Sequence, residues 1–152
     1  MNGNPSSHPY LSCTDGIVTA GQDALLLVAR VLAAWIFVQS GWGKITNLSE
    51  FAMSMANAGV PEFLGYIGPF AEFLGGVGLL VGLGTRYAAL VLILFTAAAT
   101  WIAHGFWAYP PEQQALQAIQ FWKNVTIIGG LLALFVTAGG RLSIDNAIRP
   151  AA

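Results

Sequence analysis

The chain has 152 residues, 56% hydrophobic and 9% charged, with a mean hydropathy of +0.66 and a formal net charge of −1. That is the length of one domain, with more apolar surface than a water-soluble helical protein can carry without aggregating. The small net charge and the lack of any Lys/Arg cluster exclude nucleic acid as a partner, and a single cysteine, Cys13, excludes an internal disulfide or a dithiol cycle.

Residues 1–23 are polar and rich in Gly, Pro and Ser. They lack the basic stretch followed by an apolar run that marks a cleaved leader, and are read as an N-terminal arm with a short surface helix at its end. The first span, residues 24–43, then acts as an uncleaved signal-anchor. Further spans are predicted over 63–83, 86–104 and 119–138, each long enough for about 30 Å of hydrocarbon. Pro69, near the start of the second, is expected to open or kink its helix. GLGTR joins spans two and three so tightly that they must be antiparallel neighbours. Residues 44–62 contain an amphipathic stretch, LSEFAMSMANAG, expected to be a short interfacial helix capped by Asn47 or Ser49. The connection 105–118 carries the Pro110–Pro111 turn. Residues 146–152 form a tail behind the transmembrane domain, 24–145.

Fold class follows: an all-α integral membrane protein, a four-transmembrane-helix bundle. Arg86, Arg141 and Arg149 lie on the side of the short turn and the tail, against Lys44 on the other. This bias predicts cytoplasmic N- and C-termini. Trp42, Trp101, Trp107, Tyr109 and Trp122 then form an aromatic belt at the outer interface.

A charge at bilayer depth costs roughly 2.5–3.5 kcal/mol on insertion scales unless it finds a partner or water. Embedded ionisable groups should therefore face one another, and they are the place to look for function. Arg30, Phe37, Gly41 and Lys44 share one face of span one. Glu72 is the one acid set deep within a span, and its expected partner is Arg30 or Lys123, with Lys44 ranked third. Lys123 and Asn124 lie about one turn into span four, and His104 ends span three. By the helical rise, most of these groups fall in the outer half, joined by Gln39, Ser40, Gln117 and Gln120. Histidine titrates near physiological pH, so His104 is a candidate proton carrier. Its alternative role is that of an interfacial belt residue. Ion pairs can equally fix helix register, and terminal lysines can snorkel. One intramembrane histidine supplies neither a haem pair nor a zinc or copper site. No flavin or nucleotide motif is present. The glycines of span two, with Gly78–x3–Gly82 and Ala71–x3–Gly75, predict either close packing within the bundle or a homodimer face.

The ordered set of Arg30, QSGWGKI with Gly41 and Lys44, GVP at 59–61, AEFLGGVGLLVGLGTR at 71–86 with Glu72, His104, FWKN at 121–124 and GRLSID at 140–145 resembles the DoxX family of small four-span bacterial membrane proteins. The resemblance runs from about Leu25 to Asp145. It implies residence in the bacterial inner membrane and a part in redox systems, such as the small subunits of thiosulfate:quinone oxidoreductase. On that footing Glu72 and His104 are the expected catalytic, proton-handling residues. Arg30, Lys44, Lys123, Asn124 and Gln120 are expected to bind a ligand, with quinone as the cofactor and no metal or flavin. Expected partners are the lipid bilayer and other membrane or redox subunits or a second copy. The alternative is a non-catalytic anchor or scaffold in a larger assembly; a third reading is a proton or small-solute path.

Overall fold

The structure, a computed structural model, describes residues 14–149; Cys13 and His8 lie outside them. Six α-helices follow in order: α1 Asp15–Thr46, α2 Leu48–Asn57, α3 Glu62–Val81, α4 Thr85–Ala103, α5 Pro111–Thr137 and α6 Ile144–Ala147, with a 3-10 turn at Phe106–Ala108. Helices α1, α3, α4 and α5 are long and apolar enough to cross a membrane. The fold is the expected all-α four-span bundle.

Two helices start earlier than the apolar runs. Helix α1 begins at Asp15, nine residues before the predicted span, so the second half of the expected arm is helical. Asp15 in the first turn suits the positive end of the helix dipole, and the Thr19 hydroxyl donates back to the Asp15 carbonyl (2.7 Å). Helix α5 starts at Pro111, where a missing N–H costs nothing. In both cases the extra turns are polar, and hydropathy is blind to a helix that satisfies its own backbone outside the hydrocarbon. Pro69 sits inside α3 and does not open it.

The interior is thin: Ala34, Phe37, Leu79, Ala89, Leu92, Leu131 and Leu134 form the buried core. Large apolar residues such as Leu32, Leu74, Leu94 and Val136 point outward, as lipid-facing residues do. Around the bundle α1 packs on α3, α3 on α4 and α4 on α5, while α1 and α5 touch at few points. The α1–α3 seam is close because of glycine. A Cβ on Gly41 would stand 2.7 Å from the Phe73 nitrogen. Gly75 faces Leu92 of α4, and Gly76 faces Phe37 and Val38 of α1. These glycines of α3 thus serve packing within the bundle.

At the end where α1 begins and α5 ends, the chain closes on itself. Gly82 and Gly84 turn α3 into α4 with φ of 72° and 57°, a left-handed region that other residues enter only with strain. Asp145 of α6 reaches this turn. Its Oδ1 accepts from the Gly84 N–H (2.6 Å), and its Oδ2 from the Thr85 N–H (2.8 Å) and hydroxyl (2.9 Å). The Asp145 N–H donates to the Gly82 carbonyl (2.9 Å). Burial pushes the Asp145 carboxyl up, but the Thr85 and Gly84 donors and the Arg30 charge outweigh it and hold it below its ordinary value. Arg30, 1% exposed, donates to the carbonyls of Gly139 (2.9 Å) and Leu142 (2.7 Å). The GRLSID segment is thereby clasped under the bundle.

Candidate functional site

Lys44 and Glu72 form an ion pair at 2.6 Å. The preferred partners, Arg30 and Lys123, are therefore replaced by the third choice. The reason is depth. Glu72 lies midway along the twenty residues of α3, and Lys44, near the end of α1, is level with it. Helix α1 ends at Thr46. It breaks at Asn47, whose amide donates back to the Gly43 carbonyl (3.2 Å) and makes no side-chain cap. Helix α2 then runs along the first half of α3. There a Cβ on Gly65 would lie 2.6 Å from the Ala52 Cα. The pair thus sits midway along α3.

Glu72 is almost wholly enclosed, and Lys44 keeps 29% of its side chain exposed. The Lys44 ammonium also lies over the rings of Phe51 (5.5 Å) and Phe95 (5.6 Å). An aromatic face on each flank leaves the ammonium stabilised where water is scarce.

This pair walls a cavity of about 180 Å³, which His104, Lys123, Asn124 and Thr96 also line. Five of the seven residues singled out from the sequence meet here. The other two do not line it. Gln120 accepts from the exposed Lys123 ammonium, and Arg30 serves the clasp at the bundle's far end. His104 caps α4, and its Nδ1 lies 2.8 Å from Oε1 of Gln117. A tautomer protonated at Nδ1 donates to that oxygen and leaves Nε2 as an acceptor. Nearby, Trp101, Phe106, Trp107, Phe121 and Trp122 form a chain of ring contacts at 5.1–5.8 Å.

Thr96 was not legible as a site residue. It is 4% exposed, and its hydroxyl has no hydrogen-bond partner. Buried polar groups are nearly always satisfied, so an orphan hydroxyl on a polar cavity wall marks where a ligand or water would bind. The available signal was spacing: Thr85, Ala89, Leu92, Thr96 and Thr100 are the buried residues of α4 and fall on one helical face.

A second cavity, about 370 Å³, adjoins the first. It lies between α2, α3 and α4, lined by apolar residues including Phe51, Met55, Leu64 and Ile102. Lys44, Phe95, Ala99 and His104 line both cavities. The polar groups of the first cavity thus lie against an apolar groove, with these four residues as the wall between them. Among the described residues, no three His, Cys, Asp or Glu side chains come together as metal ligands would.

A sequence model of the DoxX family matches residues 25–105. The chain belongs to the DoxX family. A model of the SURF4 family matches residues 71–149, the part that carries Glu72 and Asp145. Inner membrane protein YqjF of Escherichia coli is 37% identical over 125 residues, covering 82% of this chain and 92% of that protein. Inner membrane protein YphA of the same organism is 30% identical over 129 residues, covering 84% and 92%. The Surfeit locus protein 4 homolog of Schizosaccharomyces pombe is 32% identical over 70 residues, 45% of this chain and 23% of that protein. No solved structure matches. This DoxX-family chain is a bacterial inner-membrane protein.

Proposed function

We propose that this DoxX-family protein is a membrane subunit of a quinone-linked redox system, with the 180 Å³ cavity receiving the quinone head group. The observation that carries this reading is the adjacency of the two cavities, which share Lys44 and His104 as wall residues. A quinone is a polar ring on an apolar tail, and the adjacent chambers offer one environment for each. Lys44, Lys123 and Asn124 supply donors for the ring oxygens. Thr96 brings an unspent hydroxyl. Glu72 and His104 exchange the two protons that accompany two-electron reduction of a quinone, and the electrons come from a partner subunit or from a sulfur anion such as thiosulfate. The sparse α1–α5 seam gives the polar chamber a route to a partner. The arginines at the clasp end support cytoplasmic termini.

The test is extraction of bound quinone from protein purified in mild detergent, with Glu72→Gln and Lys123→Ala variants alongside. Quinone bound to the wild type and lost from the variants, with assembly intact, supports the reading. A wild-type protein free of quinone and unable to take it up overturns it and leaves the anchor or scaffold role.

A further inference from the structure

The clasp end holds a larger cavity that the redox reading does not use. It measures about 540 Å³ and is bordered by the first turns of α1, the start of α4, the end of α5 and the segment after it. Arg86, Arg141 and Arg149 line it, along with Asp23 and Asp145. Both carboxylates are already engaged. Asp145 accepts three hydrogen bonds from Gly84 and Thr85. Asp23 accepts from the Arg141 N–H (2.8 Å) and lies 3.9 Å from its guanidinium. Arg30 stands just behind the wall, bound to the Gly139 carbonyl. Three guanidinium groups thus line the cavity against two carboxylates, an excess of one positive charge. Arg86 spends one hydrogen bond on the Val136 carbonyl (3.3 Å), which pins it beside the end of α5. A guanidinium has five donors, so most of its fork remains available.

We propose that this cavity binds a phosphate-bearing anion. Planar guanidinium forks match phosphate oxygens two at a time. The volume lies in the range of about 300–1,000 Å³ usual for ligand sites. Its position fits as well: the cavity lies at the start of α4 and the end of α5, the ends of two candidate spans, where lipid phosphates would sit. Basic pockets between helices at that level take anionic head groups. A soluble phosphate would meet the same donors from the aqueous side. The site is remote from the Lys44–Glu72 cavity and stands or falls independently of it.

The experiment uses the full chain in uncharged detergent micelles and in nanodiscs of phosphatidylcholine doped with phosphatidylglycerol. Native mass spectrometry counts the lipid retained, and inorganic phosphate is titrated as competitor. The variants are Arg141→Gln/Arg149→Gln and the triple with Arg86→Gln, each checked for helix content by circular dichroism. Arg141→Lys/Arg149→Lys keeps the charge without the fork. The expected result is at least a tenfold preference for phosphatidylglycerol in the wild type, lost in the Gln variants and reduced in the Lys variant. Retention unaffected by millimolar inorganic phosphate identifies a lipid head group as the source. Displacement by phosphate, with thermal stabilisation in lipid-free micelles, identifies a soluble one. A wild type with no preference and no response to phosphate overturns the proposal, as does a preference unchanged in the folded Gln variants.

Discussion

Replacing Asp145 with alanine should open the clasp without disturbing the spans. The cost follows from the geometry. The carboxylate accepts from two backbone N–H groups and one hydroxyl. Thr85 is fully buried, so its N–H cannot recover a partner from water, while Gly84 is half-buried and partly can. An unsatisfied buried donor costs about 1–3 kcal/mol, which gives about 2–4 kcal/mol for the variant. Asp145→Asn keeps one acceptor and should lose about half of that. At 1.4 kcal/mol per factor of ten, hydrogen exchange at the Thr85 amide should accelerate by roughly 30- to 700-fold. The same bonds predict a pH dependence. The folded carboxyl titrates below its ordinary value, so its contribution is complete above the unfolded value of about 4 and is lost as pH falls through the lower folded value. The protection factor at Thr85, which divides out the intrinsic pH dependence of exchange, should therefore fall on acidification below about pH 4, and that of Asp145→Asn should not. Exchange in Asp145→Ala within about 0.5 kcal/mol of wild type, the scatter of a neutral surface change, would refute the argument.

Other perturbations separate packing from ligand binding. Lys44→Met leaves Glu72 buried and unpaired and should cost about 2–4 kcal/mol, the lower part of the range for broken buried pairs because Lys44 is partly exposed. Adding Glu72→Gln should restore most of that stability in detergent unfolding, yet not quinone binding. Gly41→Ala forces a methyl against the α3 backbone and should cost about 1–3 kcal/mol. Gly43→Ala, with open space around it, should gain about 0.5–1 kcal/mol from helix propensity; equal thermal shifts would contradict the seam geometry. Thr96→Val removes an orphan hydroxyl at nearly constant shape. It should leave the ligand-free protein as stable or up to about 1 kcal/mol more so, and lower quinone retention.

Four spans were readable because apolar run length is set by bilayer thickness, a constraint that acts residue by residue along the chain. Which groups meet across the bundle is set by relative depth, and one error there displaced a pairing. Treating the end of span one as the rim put Lys44 above Glu72 by several turns. The break at Asn47 was legible as the start of the interfacial helix; that it falls level with Glu72 was not, because packing between helices sets their relative depth. The partners of Arg30 were illegible for another reason. They are the carbonyls of Gly139 and Leu142, and a carbonyl leaves no trace in the residue type that bears it. Asp145 could have been found: an acid five residues after the glycine pair, just past the last span, is well placed to cap the tight turn at Gly84.

The two ends of the bundle treat polar groups differently, and the contrast bears on function. At the clasp, Asp145 and the guanidinium tips of Arg30 close on Gly84, Thr85, Gly139 and Leu142, and Ser143 bonds to the Gly140 carbonyl (2.6 Å). Such a network specifies the register of α1, α4 and the C-terminal segment. Around Glu72 the economy is looser: a single ion pair, an unsatisfied Thr96 hydroxyl, and Lys123 and Asn124 on the cavity wall. Apolar side chains of similar volume would hold the same helices together at no greater cost. A bundle that needed these groups only for packing would have bound them as it bound the Asp145 carboxylate, with a donor on each oxygen. Donors left facing an opening, one wall away from an apolar groove, are what a site for an amphiphilic molecule requires.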